Sequence, residues 1–82
     1  MAAARVKLPD VLDNLLSSEM ENAINQANLG NDDTAIARRY LIEQIPQIDI
    51  AAEFGYERST ISRRMARILS KVEHTARKLQ YI

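Results

Sequence analysis

Apolar residues recur at three- and four-residue spacings along most of the chain, a pattern typical of amphipathic α-helices. The first helical stretch follows Pro9, a residue suited to the first turn of a helix, and runs to about Ala27. Ser17 and Ser18 are candidates for a break or bend within it. We expect Gly30 to end this helix, because glycine readily adopts the left-handed conformation that follows many helix C-termini.

Two shorter helices are predicted in the middle of the chain. The polar side chains of residues 31–33 can cap the second helix, and their acidic groups suit its positive end. Pro46 should end that helix, since the residue before a proline is disfavoured in helical conformation. A third helix is expected over Gln47–Phe54, and Gly55 should break it.

The fourth helical stretch, from about Arg58 to Gln80, is long and uninterrupted. With two glycines and two prolines in 82 residues, the chain has few positions for the turns that a β-protein needs. The sequence therefore predicts an all-α fold, a small bundle of four helices forming a single domain over residues 1–82. Residues 1–30 would provide packing or dimerisation, and residues 73–82 would be the end of the long helix.

Charge is unevenly distributed, although the formal net charge is zero. Residues 1–57 hold four Lys or Arg against ten Asp or Glu, a net charge of −6, whereas residues 58–82 hold seven against one, a net charge of +6. This change of sign suggests a basic element carried on an acidic support. The alternative is a solvated helix face that pairs with its acidic neighbours.

Several function classes find no support in the composition. The absence of cysteine excludes disulfides and thiolate metal sites. His74 is the only histidine and is expected on the surface, so we predict no metal and no cofactor. No glycine-rich phosphate loop or paired-carboxylate cleft is evident, which argues against an enzyme. No apolar run is long enough for a signal peptide or a membrane span, so we expect a cytoplasmic protein without a membrane partner.

The segment from Gln47 to Arg67 fits a helix-turn-helix, in which a support helix meets a recognition helix through a tight turn. Its fifth residue must be small because the second helix crosses above it, and that residue is Ala51. Its ninth residue favours glycine because the turn needs a positive φ, and that residue is Gly55. The positions that seal the two helices together are aliphatic or aromatic: Ile50, Phe54, Tyr56 and Ile61.

The outward positions of the predicted recognition helix carry side chains that can read DNA. With Ile61 turned inward, four residues share the opposite side, here called the outer face: Arg58, Ser59, Ser62 and Arg63. Arginine can pair bidentately with guanine, and serine can contact base edges or phosphates. A second group is expected to contact phosphates: Gln47, Thr60, Arg64 and Arg67.

The run IAAEFGYERSTISRRMARIL, which begins at Ile50, resembles region four of bacterial sigma factors, the promoter-binding helix-turn-helix. The preceding run TAIARRYLIEQIPQ resembles the helix that leads into the motif, so the resemblance covers about residues 33–72. The matching residues fall into four groups: Ile50-Ala51, Phe54-Gly55, Arg58 to Ile61, and Arg63 to Met65. The resemblance implies base contacts from the outer face, with double-stranded DNA as the partner.

Two departures from the family shape the functional hypothesis. Glu57 stands where Ser or Thr usually caps the recognition helix, and because glutamate can accept from cytosine N4 we include it among the base-reading residues. The sigma-factor domains that bind core polymerase and melt the promoter have no counterpart here. We therefore expect a stand-alone, sequence-specific transcriptional regulator of the kind found on phages and mobile elements. The alternative is a protein-interaction module that binds RNA polymerase or another protein through its acidic N-terminal half.

Apolar residues continue at heptad spacing along the rest of the long helix. They form a candidate dimer seam: Met65, Ile68, Val72 and Leu79. A homodimer would set two recognition helices about 34 Å apart and read palindromic sites. The alternative, which we expect for at least part of the seam, is packing on the N-terminal helix of the same chain.

Two further expectations concern the second helix. Tyr40 should pack in the core. Arg39 should pair with Glu43, which lies one helical turn away, rather than contact a phosphate.

Overall fold

The computed structural model describes residues 8–82, and every regular element in that range is helical. The helices follow one another along the chain: α1 Asp10–Asp13, α2 Ser17–Gln26, α3 Asn31–Ala37, α4 Gln47–Phe54 and α5 Arg58–Lys78. A π-helical turn, Arg38–Ile42, continues α3. The all-α prediction is confirmed. None of the helices in residues 8–82 is both long and apolar enough to cross a membrane.

The N-terminal stretch forms two helices, so the described chain has five rather than the predicted four. α1 is a single turn, and the chain becomes extended at Leu16 (φ −66°, ψ 154°) before α2 begins. The backbone N–H of Leu16 donates to Glu19 Oε1 at 2.9 Å, which secures the start of α2. Ser17 and Ser18 are thus the first residues of α2, and the break lies just before them.

The connection between α2 and α3 differs from the prediction at its glycine. α2 ends at Gln26, and it is Asn28 that adopts the left-handed conformation, with φ 55°. Asparagine tolerates this region better than most residues do. Gly30 (φ 92°) instead lies directly before α3, where its carbonyl accepts from the N–H of Thr34 at 2.9 Å. Residues 31–33 therefore form the first turn of α3, and no side chain caps it.

The end of the second predicted helix also lies earlier than Pro46. The N–H of Glu43 donates to the carbonyl of Arg38 at 3.1 Å, the five-residue spacing of a π turn, and the helix ends at Ile42. Gln44 then adopts a left-handed conformation with φ 56°, which turns the chain away. Pro46 is extended and directly precedes α4. The helix stop is therefore the turn at Gln44, and the proline shapes the start of the next helix.

All the helices pack around one hydrophobic core, to which α5 contributes most. α5 contacts α2, α3 and α4, and its buried side chains repeat once per turn: Ile61, Met65, Ile68, Val72 and Ala76. Tyr40 is buried in the same core, as predicted. Because three helices cover one side of α5, its opposite side is left to solvent.

The proposed dimer seam is largely inside this core. Met65, Ile68 and Val72 are 1%, 0% and 0% exposed, and Leu79 is partly buried at the end of α5. A second copy of the chain could not reach the first three side chains without opening the core. The seam prediction is therefore wrong for these three residues, and the intramolecular alternative is correct. The heptad spacing suited both arrangements, because a helix buried in its own bundle needs the same apolar stripe.

Candidate nucleic-acid interface

α4 and α5 are joined by a tight connection over residues 55–57. Gly55 has φ 74° and ψ 27°, and the N–H of Tyr56 donates back to the carbonyl of Ala51 at 2.9 Å. Glu57 is extended (φ −70°, ψ 153°), and its carbonyl accepts from the N–H of Ile61 at 3.1 Å, so α5 begins at Arg58. Glu57 therefore occupies the N-cap position as expected, without a side-chain capping bond. The predicted positive φ at Gly55 is confirmed.

The residues predicted to seal α4 against α5 belong to the core. Ile50 and Ile61 are fully buried, and Ala51 is 4% exposed. Phe54 and Tyr56 are partly buried and pack against the same cluster. The burial pattern predicted for this segment is therefore confirmed, and it fixes which side of α5 faces outward.

All four residues of the outer face are exposed, whereas Ile61 between them is buried. They occupy the first two turns of α5, the part of the helix nearest the connection. Glu57 and Arg67 are exposed as well. Gln47 is the first residue of α4 and Thr60 lies in the first turn of α5, and both are half-buried. The fold thus brings the predicted base-reading residues onto one accessible surface.

Ion pairing divides the cations of residues 8–82 into two groups. Four arginines bond to a carboxylate: Arg38, Arg39, Arg64 and Arg77. The remaining cations have no carboxylate within 4.0 Å in this part of the chain, and all of them lie on α5: Arg58, Arg63, Arg67, Lys71 and Lys78. The alternative of a basic face neutralised by acidic neighbours therefore does not describe this side of α5.

Arg64, which the sequence predicts as a phosphate contact, makes two contacts within the chain. Its Nη1 donates to Asp33 Oδ1 at 2.8 Å, and its Cζ lies 4.7 Å from the centroid of the Tyr56 ring. The hydroxyl of Tyr56 in turn donates to Asp32 Oδ2 at 3.3 Å. The hydrogen bond with Asp33 raises the pKa of Arg64 above its ordinary value. In this arrangement Arg64 links α5 to the start of α3, and it is turned away from the outer face.

Arg39 forms a second link between elements. Its Nη1 donates to Glu43 Oε2 at 2.7 Å, which confirms the predicted pair, and its Nε donates to Glu53 Oε2 at 3.0 Å. The bonds with Glu53 and Glu43 raise the pKa of Arg39. This side chain therefore ties the π turn to α4. Glu53 was not predicted as a partner, because it is fourteen residues away and no local spacing connects the two.

Within residues 8–82, no cluster of three or more His, Asp or Glu side chains is placed to hold a metal ion, and His74 is exposed on α5. Comparisons with family models, curated proteins and solved structures find no match to this chain. The geometry and charge of α4 and α5 are therefore the basis for a functional proposal.

Proposed function

We propose that this protein is a sequence-specific double-stranded DNA-binding transcriptional regulator, and that α4 and α5 act as its helix-turn-helix. The observation that carries the proposal is that the cations without a carboxylate partner in residues 8–82 all lie on α5. Exposed arginines held on a rigid helix suit the major groove, which is wide enough to admit an α-helix.

The first two turns of α5 would read base edges. Arg58 and Arg63 can each offer two N–H donors to guanine O6 and N7, the commonest specific contact in the major groove. Ser59 and Ser62 lie beside them on the outer face, and their small hydroxyls let the helix approach the bases closely. Glu57, exposed directly before the helix, could accept from the N4 amino group of cytosine.

Phosphate contacts would hold α5 in the groove. Arg67 lies one turn beyond the outer face and is exposed. Gln47 begins α4, where free backbone N–H groups and the positive end of the helix favour a phosphate. Thr60 could donate its hydroxyl from the first turn of α5. The resemblance to region four of sigma factors supports this arrangement and a role in transcription.

The alternative, a protein-interaction module that uses its acidic N-terminal half to bind RNA polymerase or another protein, is supported less well. Four of the ten acidic residues in residues 1–57 are bonded to an arginine of the same chain: Glu21, Asp33, Glu43 and Glu53. A homodimer would likewise need a surface other than the buried seam.

Selection of bound sequences from random duplex DNA tests the proposal directly. We expect enrichment of one short motif containing guanines, because two arginines are available to read them. A palindromic result would in addition indicate two copies of the chain on the site. Recovery of unenriched sequences, or no retention of DNA at low salt, would refute sequence-specific binding.

A further inference from the structure

The second half of α5 continues the positive charge of the first. Arg63, Arg67, Lys71 and Lys78, here called the cationic stripe, are all exposed on α5. Each residue of an α-helix turns by about 100°, so these four side chains fall within an arc of about 80°. The stripe therefore runs along one side of the helix for about 22 Å, at about 1.5 Å per residue.

Nothing in residues 8–82 neutralises this stripe. The only acidic residue of α5, Glu73, is bonded through Oε2 to Arg77 Nη2 at 3.1 Å. Neither Lys71 nor Lys78 has a carboxylate within 4.0 Å in the part of the chain that the structure describes. Like charges held on one line repel each other, so the stripe is best accommodated by an anionic partner.

The stripe and the outer face share Arg63 but are centred on different sides of the helix. Their centres are about 115° apart around the helix, close to a third of a turn, at about 100° per residue. When the outer face points at base edges, the stripe therefore points at one wall of the groove, which is lined with phosphates. The major groove is about 12 Å wide and curves around the duplex, so a straight helix with a stripe of about 22 Å must pass close to the backbone at its far end.

We propose that Lys71 and Lys78 bind DNA phosphates outside the base pairs that the outer face reads, so that α5 both reads the site and grips the flanking backbone. This inference rests on the proposed function. It assigns a DNA-binding role to two lysines beyond the predicted motif. Lysine is well suited to a phosphate contact, because its flexible point charge needs no fixed geometry to neutralise a phosphate.

The stripe fits DNA better than it fits a protein partner. A protein interface is usually anchored by buried aromatic or aliphatic side chains. The large apolar side chains exposed in residues 8–82 are Leu16, Ile48 and Ile82, and none of them lies on α5. Isolated surface ion pairs with an acidic protein would contribute little, whereas a polyanion gains from releasing one counterion at every neutralised phosphate.

Salt dependence of binding tests the inference without knowledge of the target site, because phosphate contacts are independent of sequence. Fluorescence anisotropy would follow binding to a labelled duplex of about 24 base pairs between about 50 and 200 mM salt. Removing two phosphate contacts in Lys71→Gln/Lys78→Gln should make the slope of log affinity against log salt shallower by about 1.8. Between these two salt concentrations, the fold loss of affinity would be roughly twelve times smaller for the variant than for the unsubstituted protein.

Arg38→Gln is the matched control, since it removes one positive charge from a side chain that is already bonded to Glu21 off α5. We expect it to leave the slope unchanged, and Lys71→Gln alone to reduce it by about 0.9. An equal reduction in Arg38→Gln would show an effect of total charge only and would overturn the assignment.

A steep slope that the double substitution leaves unchanged would overturn the inference and leave the proposed function standing. Absence of DNA binding by the unsubstituted protein would overturn both.

Discussion

Arg64 of α5 bonds to Asp33 of α3 across thirty-one residues of sequence, with Nη1 2.8 Å from Oδ1. Its guanidinium also covers the ring of Tyr56, in the connection between α4 and α5. One side chain thus joins α5, the connection before it and a third helix. We propose that Arg64 is a positioning residue that sets the angle of α5, as an alternative to the phosphate contact predicted from the sequence.

Arg64→Ala should therefore lower the urea midpoint of unfolding, and Asp33→Asn should lower it by a similar amount. The double variant should be no less stable than the worse single one, because both changes remove the same bond. Measurements of DNA affinity against salt should give an unchanged slope for Arg64→Ala. A slope shallower by about 0.9, with additive effects on stability, would instead make Arg64 a phosphate contact.

Arg58→Ala and Arg63→Ala should each weaken binding to a selected site by about 1–3 kcal/mol and relax the sequence preference at one position. The physical reason is the loss of a bidentate pair with guanine from an exposed side chain that makes no ion pair within residues 8–82. Competition titrations against single-base variants of the site would measure both effects. Arg38→Ala serves as the control off α5. If neither substitution at the outer face changes the DNA affinity or the base preference, the proposal that α5 reads the DNA sequence is wrong.

The local sequence pattern was sufficient to predict α4, α5 and the connection between them. Ile61 and Arg63 were correctly assigned to opposite sides because helical periodicity is a property of neighbouring residues, and Gly55 was correctly placed because a positive φ favours one residue type. The left-handed residues Asn28 and Gln44 were missed. The sequence analysis placed the turns at Gly30 and Pro46, which are stronger turn signals. In the structure each turn lies two residues earlier.

Long-range contacts could not be predicted in the same way. The partners of Arg64 and of Arg39 in α4 depend on how helices cross, which no spacing along the chain encodes. The heptad pattern around Ile68 was ambiguous for a related reason. An apolar stripe shows that one side of a helix is covered, and the fold alone shows whether the cover is the same chain or another.

Gly55→Ala should destabilise the protein by about 1–2 kcal/mol, because a left-handed backbone is costly for a residue with a Cβ. A Cβ at this position would meet no heavy atom within 4 Å, so the cost would come from the backbone alone. Gly55→Asn should be less harmful, since asparagine tolerates this region. Urea unfolding followed by circular dichroism would rank the three proteins. Equal stability of the alanine variant would show that the connection adopts another conformation in solution.

Ile68→Val should reduce the free energy of unfolding by about 0.5–1.5 kcal/mol, because it removes one methylene group from a fully buried side chain. The reduction should be the same at every protein concentration, since the cavity forms within a single chain. Denaturation curves at concentrations about a hundredfold apart would decide the matter, because a side chain at a dimer seam would give a concentration-dependent difference. Leu79→Ala is a useful comparison, because Leu79 is partly exposed at the end of α5. If Leu79 contacts a second copy of the chain, this substitution should destabilise the protein mainly at high concentration. A difference that grows with concentration for Ile68→Val would restore the seam and require the core to open on association.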